Sequence, residues 1–200
     1  MSYYNIDFEK GIFMNKNNKI FKIIISIIGL IIALFLIINV IKNLNYLSDL
    51  NNKDLAYNII GMVLEGLLII SLLYFCTNSI LTIIKEEYKK TLPYASLSIF
   101  IYIFLSNTLN LVFYANSTWS YTYIYAIISL LCFILNTIYI FRKFNNLINY
   151  LATSIFGVML IILMIINTDG IIYYLLDSFL ILFYLGLSIN TLLLIKNKGV

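Results

Sequence analysis

Six long stretches of apolar residues follow one another along the chain and are separated by short polar segments. Their predicted boundaries are 23–41, 55–84, 94–115, 119–141, 147–166 and 171–195. At about 1.5 Å per residue, even the shortest stretch approaches the roughly 30 Å thickness of the hydrocarbon core of a bilayer. The pattern therefore predicts six transmembrane helices. Membrane β-barrels are excluded because their strands alternate between apolar and polar residues, whereas these stretches are continuously apolar.

The short connections between the stretches predict how the helices are arranged. Short turns make consecutive helices antiparallel neighbours. We therefore expect an all-α membrane protein, with six transmembrane helices in an antiparallel bundle that forms one domain over 23–195. A polar segment, 1–22, precedes this domain, and a short tail, 196–200, follows it. Only the first outer loop, at about 43–54, is predicted to be long.

The composition supports a lipid environment. The chain is 62% hydrophobic and 11% charged, whereas charged residues make up about a quarter of a typical soluble domain. A soluble domain of 200 residues cannot cover so much apolar surface. The lipid bilayer is therefore the first expected partner.

Lysines and arginines are concentrated on one side of the predicted membrane. With the N-terminus in the cytoplasm, only Lys42 and Lys53 fall outside. The cytoplasmic segments then hold Lys10, Lys16, Lys19, Lys22, Lys85, Lys89, Lys90, Arg142, Lys143, Lys196 and Lys198. The positive-inside rule therefore predicts two cytoplasmic termini, and we expect a bacterial cytoplasmic membrane protein. Nucleic acid is not an expected partner, because these cations flank the membrane spans and do not alternate with aromatic residues on one exposed face.

Several kinds of chemistry lack the residues that they require. The chain has no histidine, which excludes zinc and haem sites built on that ligand. Its two cysteines, Cys76 and Cys132, lie in apolar stretches and are expected to be buried and unpaired. Neither a glycine-rich phosphate loop nor a Gly-x-Ser-x-Gly motif occurs. We therefore predict no catalytic residue, cofactor or metal, and expect that the protein is not an enzyme.

Glu65 is the most informative single residue, because it interrupts the second apolar stretch at a depth of roughly 13 Å. A carboxylate in that position costs about 3 kcal/mol on insertion scales. Glu65 could bind a cation, a proton or the amine of a solute. The structural alternative is a hydrogen-bonded glutamate that packs against a tyrosine.

Polar residues in three other stretches have helical spacing. Asp177 begins a stripe in the last helix that either lines a cavity or packs between helices, with Asp177 reaching the lipid headgroups. The third helix carries Tyr94, Ser98, Tyr102, Ser106, Asn110 and Tyr114, four residues apart. The fourth carries Tyr121, Tyr125, Ser129, Cys132, Asn136 and Tyr139. Both stripes are expected to face the bundle interior, because lipid cannot satisfy their hydrogen bonds. Helix packing alone would explain them.

The depth of the polar residues favours a ligand pocket. Those in the outer half are Asn39, Glu65, Asn107, Asn110, Tyr125, Asp169 and Asp177. Polar groups that converge in an apolar bundle are typical of a binding site. We therefore predict that Glu65, Asn107, Asn110, Tyr125 and Asp177 bind a small-molecule solute, with the first outer loop as a cap.

Two functions follow from these observations. The first is a small-solute transport protein or solute-binding membrane subunit with an outward-facing polar pocket. The second is a non-catalytic helper or immunity-type subunit, whose polar helix faces bind another membrane protein. A membrane enzyme is disfavoured, because no nucleophile and base pair is present.

Overall fold

The computed structural model describes residues 16–85, 91–114, 120–141, 147–166 and 170–197. In these ranges the regular structure is entirely helical. The six long helices are α1 (Lys16–Leu44), α2 (Asn52–Ile84), α3 (Leu92–Tyr114), α4 (Ser120–Phe141), α5 (Leu147–Ile165) and α6 (Ile171–Asn197). One short 3-10 helix, Leu47–Asp49, lies between α1 and α2.

The helix boundaries agree with the apolar stretches to within a few residues, except at the start of α1. That helix includes polar residues from Lys16 onward, because lysine side chains can extend past the end of an apolar span. The first outer loop is shorter than predicted. Asn51 explains the early start of α2, since its side chain accepts a hydrogen bond from the Asp54 amide at 2.9 Å and so caps the helix.

Several predicted segments lie outside the described residues. They are most of 1–22, the tail after Asn197, and the greater part of the turns that join α2 to α3, α3 to α4, α4 to α5 and α5 to α6. Gly170, which ends the last of these turns, is described. Its φ of 104° is a backbone conformation that glycine adopts without strain.

All six long helices are long and apolar enough to cross a membrane. Large apolar side chains cover much of their outer surface, for example Val112 and Ile84, which are 72% and 70% exposed. Polar side chains such as Ser129 and Thr191 are fully buried. This distribution is the reverse of that in a soluble protein and indicates an integral membrane protein.

The helices form a closed ring, in which each helix packs against the next along the chain and α1 packs against α6. Small residues permit close packing. A Cβ atom on Gly157 would lie 2.8 Å from the Tyr184 ring, and one on Gly186 would lie 2.7 Å from Ile25. Helix α1 likewise contacts Cys76 of α2 through Gly29. Cys76 and Cys132 are buried and unpaired, as the sequence predicted.

An aromatic layer lies inside the ring and consists of Phe100, Phe183 and Tyr184, all fully buried. The Phe100 and Tyr184 rings stack with centroids 5.1 Å apart. The Tyr184 hydroxyl donates a hydrogen bond to the Ser96 carbonyl at 3.4 Å, which joins α6 to α3. Along α3 and α6, polar side chains lie on both sides of this layer.

Candidate functional site

Glu65 lies in the middle of α2 and is 9% exposed. Asn39 Nδ2, from α1, donates a hydrogen bond to Glu65 Oε1 at 2.9 Å. The Tyr102 hydroxyl, from α3, donates to the same oxygen at 3.4 Å. The second oxygen, Oε2, is buried without a hydrogen-bond partner among the described residues. The carboxyl group is therefore held in place through one oxygen, while the other retains its capacity to accept hydrogen bonds.

Two more tyrosines belong to this polar region. Tyr57 and Tyr173 are close enough to Glu65 to interact with its charge, and the Tyr173 hydroxyl is within hydrogen-bonding reach of Asn39. We call Asn39, Tyr57, Glu65, Tyr102 and Tyr173 the Glu65 cluster. Its members come from α1, α2, α3 and α6. Because Tyr173 is 41% exposed, the cluster extends from the buried carboxyl group to the protein surface.

The chemistry of the Glu65 cluster favours a positively charged ligand. The cluster offers a carboxyl group, an amide and three phenol hydroxyls, and it contains no lysine or arginine. Burying a carboxylate without a compensating partner is unfavourable. A cation or an ammonium group at Oε2 would supply that partner.

Of the five residues predicted to bind solute, Glu65 belongs to this cluster. Asp177 is buried at 6% exposed, so it does not reach outward to the headgroups, and it follows Tyr173, a member of the cluster, by one helical turn. Asn107 and Asn110 are half-buried on α3, and Asn107 donates to the Ile103 carbonyl of its own helix at 2.7 Å. Tyr125 is buried and donates to the Leu163 carbonyl at 2.6 Å, which joins α4 to α5. Binding of solute by the five residues stays a prediction.

The two predicted polar stripes differ in burial. The stripe on α4 faces inward as predicted, except that Tyr121 is 49% exposed. The prediction that the whole α3 stripe faces inward was wrong, because all six of its residues are half-buried, although Tyr102 among them contacts Glu65. The buried face of α3 instead consists of Leu92, Pro93, Ala95, Ser96, Ile99, Phe100 and Ile103. Residues four apart advance by about 40° around a helix at each step, so six of them cannot share one face.

A second polar region lies where α1, α3 and α5 begin and where α2, α4 and α6 end, and we call this the Lys22 end of the bundle. It contains a cavity with about 40 Å³ of space for the centres of water-sized molecules. All six helices contribute to its lining: Lys22, Ser79, Thr82, Thr91, Leu92, Pro93, Tyr139, Tyr150, Asn190 and Leu194. We call this space the Lys22 cavity.

The Lys22 cavity has a rigid and incompletely satisfied polar wall. The Tyr139 and Tyr150 rings stack with centroids 4.6 Å apart, which fixes α4 against α5. Asn190 is 4% exposed, and its Oδ1 has no hydrogen-bond partner among the described residues. Asn136, which is fully buried and is not a lining residue, donates to the Pro93 carbonyl at 3.3 Å, and its Oδ1 has no hydrogen-bond partner among the described residues. Sequence reasoning missed this cavity, although its lining residue Tyr139 belongs to the predicted α4 stripe.

The opposite end of the bundle is held by polar and aromatic contacts. Tyr114, at the end of α3, donates a hydrogen bond to Asp54, at the start of α2. The Tyr57 and Tyr114 rings meet edge to face at 5.0 Å, and Lys53 lies 4.8 Å above the Tyr114 ring. We call this the Asp54 end. These contacts anchor α2 and α3 beside Tyr57 of the Glu65 cluster.

No three His, Cys, Asp or Glu side chains come together as a possible metal site within the described ranges. Comparison of the chain with protein-family models, curated proteins and solved structures finds no match.

Proposed function

We propose that the protein is a polytopic protein of a bacterial cytoplasmic membrane, with six antiparallel helices and both termini in the cytoplasm. The Lys22 end would then face the cytoplasm and the Asp54 end the outside. The distribution of cations supports this orientation. Lys19, Lys22, Lys85 and Lys196 are near the Lys22 end, whereas Lys42 and Lys53 are near the Asp54 end.

We further propose that the protein binds a small, positively charged solute from outside, as a small-solute transport protein or a solute-binding membrane subunit. The observation that carries this proposal is the buried, unpartnered Oε2 of Glu65. The Asn39 amide and the Tyr102 hydroxyl hold the other oxygen and so orient Oε2. Burial has removed Oε2 from water. A positively charged group bound there would form a charge-assisted hydrogen bond with it.

Binding requires that the cluster opens, because Oε2 is inaccessible to solvent in this conformation. Tyr173 is the side chain best placed to move, since it is 41% exposed and lies at the start of α6. A solute that binds the open form more tightly would shift the population toward it. Transport requires that the binding site opens to one side of the membrane while it is closed to the other.

Thermal unfolding of the purified chain in detergent tests the proposal. A panel of monovalent inorganic cations and small primary amines serves as the probe, because a ligand stabilises the native state by RT ln(1 + [L]/Kd). We expect that at least one probe raises the melting temperature of the unmutated protein. Glu65→Gln should abolish the rise.

Two tyrosines on α3 provide a finer control. Tyr102→Phe removes the hydroxyl that contacts Glu65 and should weaken binding of the same probe. Tyr94→Phe should leave binding of the probe unchanged, because the Tyr94 ring packs elsewhere: it stacks on Phe75, with ring centroids 5.4 Å apart. If no probe stabilises the unmutated chain, or if Glu65→Gln responds equally, Glu65 does not bind solute.

One observation supports the second candidate, a helper or immunity-type subunit. Polar residues of α3 such as Ser98, Ser106 and Asn110 are half-buried, and small or polar residues favour close contact between membrane helices. A cleft with about 100 Å³ of space for water-sized molecules lies beside them, between Ser71 and Leu67 of α2 and Ser98 and Leu105 of α3. Another transmembrane helix could pack there. Ser98→Leu would then release a bound membrane partner without changing the response to cations.

A further inference from the structure

We propose that Glu65 exchanges a proton for the cation that it binds. In the unliganded protein the carboxyl group is neutral and carries a proton on Oε2, and a cation that binds there releases this proton. The inference rests on the proposed function and adds the proton as a second ion at the same site. It is supported by the unequal bonding of the two carboxyl oxygens, by their burial and by the charges of the described residues around them.

The two oxygens of the Glu65 carboxyl group are bonded unequally. Oε1 accepts hydrogen bonds from the Asn39 amide at 2.9 Å and from the Tyr102 hydroxyl at 3.4 Å. Oε2 accepts none from the residues that the structure describes. A carboxylate has two acceptor oxygens that share its charge, whereas a protonated carboxyl group has one carbonyl oxygen and one hydroxyl. Bonding through Oε1 alone therefore matches a neutral acid whose proton is on Oε2.

Burial favours the neutral form of Glu65. The side chain is 9% exposed, and Oε2 itself is shielded from solvent. Moving an ionised carboxylate out of water costs far more than moving a neutral hydroxyl, so a buried acid without a charged partner takes up a proton. Two neutral donors on Oε1 offset only part of the cost of a charge. Oε2 is therefore expected to keep its proton until a cation arrives.

The titratable groups around Glu65 do not supply a positive charge. Those that interact with its charge are three phenols, Tyr57 of α2, Tyr102 of α3 and Tyr173 of α6. Ionisation of a phenol would only add negative charge. On α6, Asp177 follows Tyr173 by one turn and is a second acid, while Lys42 of α1 and Lys53 of α2 are exposed. A proton or a bound cation must therefore supply the compensating charge.

The exchange step conserves charge. When a monovalent cation binds at Oε2, the O–H bond breaks, its electron pair stays on the oxygen, and the proton passes to water. Glu65 is then a carboxylate beside one positive charge, so the cluster is neutral before and after. The Asn39 amide and the Tyr102 hydroxyl can donate to Oε1 in either state, and so the same donors hold both forms. Because the cluster has a single carboxyl group, each bound cation releases a single proton.

Infrared spectroscopy of the full chain in detergent tests the protonation state, with bulky tetraethylammonium as the only buffer cation. A protonated carboxyl group has a carbonyl stretching band that a carboxylate lacks. Glu65→Gln should lose one such band at neutral pH, and Asp54→Asn, which removes another acid of α2, should keep it. Asn39→Leu removes the 2.9 Å hydrogen bond to Oε1 and should move the band to higher frequency, whereas Asn190→Leu should not. The proposal is overturned if neither Glu65→Gln nor Asn39→Leu changes the band.

Proton release tests the exchange itself. Sodium, potassium and methylammonium are added in turn to the weakly buffered chain, and a pH indicator measures the protons released. A probe that stabilises the chain should release about one proton per molecule from the unmutated protein and none from Glu65→Gln. While Glu65 is protonated, the half-saturating probe concentration should rise about tenfold for each unit that the pH falls, because proton and cation compete for one oxygen. Binding without proton release overturns the exchange and leaves the proposed function standing, whereas both fail if no probe binds.

Discussion

The Glu65 cluster and the Lys22 cavity are both built from buried polar side chains, but they differ in charge, in free volume and in the number of helices that supply them. The cluster is acidic and closely packed, and four helices contribute to it. The cavity contains a lysine, has room for a few waters and is lined by all six helices. Each region also has a buried polar atom that has no hydrogen-bond partner within the described part of the chain: Oε2 of Glu65 in one and Oδ1 of Asn190 in the other.

This difference shows two ways in which a membrane bundle can accommodate buried polar groups. In the cluster, one ionisable group is placed in an apolar span and is held by neutral hydrogen-bond donors. In the cavity, polar side chains from separate helices surround a space. The first arrangement depends on one residue, whereas the second is distributed over many.

The largest expected effect on stability comes from the aromatic layer that separates the two regions. Gly157→Ala would place a methyl group against the Tyr184 ring, and overpacking of this kind costs about 1–3 kcal/mol. Gly66→Ala is the matched control, because a Cβ there meets nothing within 4 Å. We expect a clear fall in melting temperature for Gly157→Ala alone. Equal melting temperatures for the two variants would show that Tyr184 does not pack tightly against α5.

A smaller difference is expected between two amide substitutions, one in each region. Asn39→Leu removes the donor that holds Glu65 at 2.9 Å, and leaving a buried hydrogen-bonding group without its partner costs about 1–3 kcal/mol. Asn190→Leu removes an amide whose oxygen is already unpartnered, so the loss should be smaller. Thermal unfolding of both variants in ligand-free buffer measures the difference. If Asn190→Leu is the more destabilising, our assignment of the satisfied and unsatisfied amides is wrong.

Much of the fold follows from the apolar pattern, because a continuous run of apolar residues admits few alternatives to a membrane helix. Glu65 is equally visible, since a lone carboxylate in such a run must have a partner. Asn39 is also recognisable as a polar residue in the outer half of its helix. None of these features indicates how far each helix is rotated about its axis.

The rotation of each helix about its axis explains why the predictions for the α3 and α4 stripes had different outcomes. The α4 stripe mixes spacings of three and four residues, which keeps it on one face, and it is buried. The α3 stripe uses a spacing of four alone and winds around the helix, so its residues make different contacts: Tyr102 donates to Glu65, whereas Ser98 donates to a carbonyl of its own helix. The Lys22 cavity leaves no local signal, because its hydroxyls are individually ordinary and come together only through packing.

We propose that the chain crosses a bilayer with the Glu65 cluster toward the outside and the Lys22 cavity toward the cytoplasm. Helix α2 tests it most directly, because its 33 residues span about 50 Å and its ends carry exposed lysines, Lys53 and Lys85. Single variants Lys53→Cys and Lys85→Cys are treated with a membrane-impermeant maleimide on intact cells. The unmutated chain is the control, since Cys76 and Cys132 are buried. Our account predicts that Lys53→Cys is labelled at once and that Lys85→Cys is labelled only after the membrane is opened; labelling of Lys85→Cys in intact cells would contradict it.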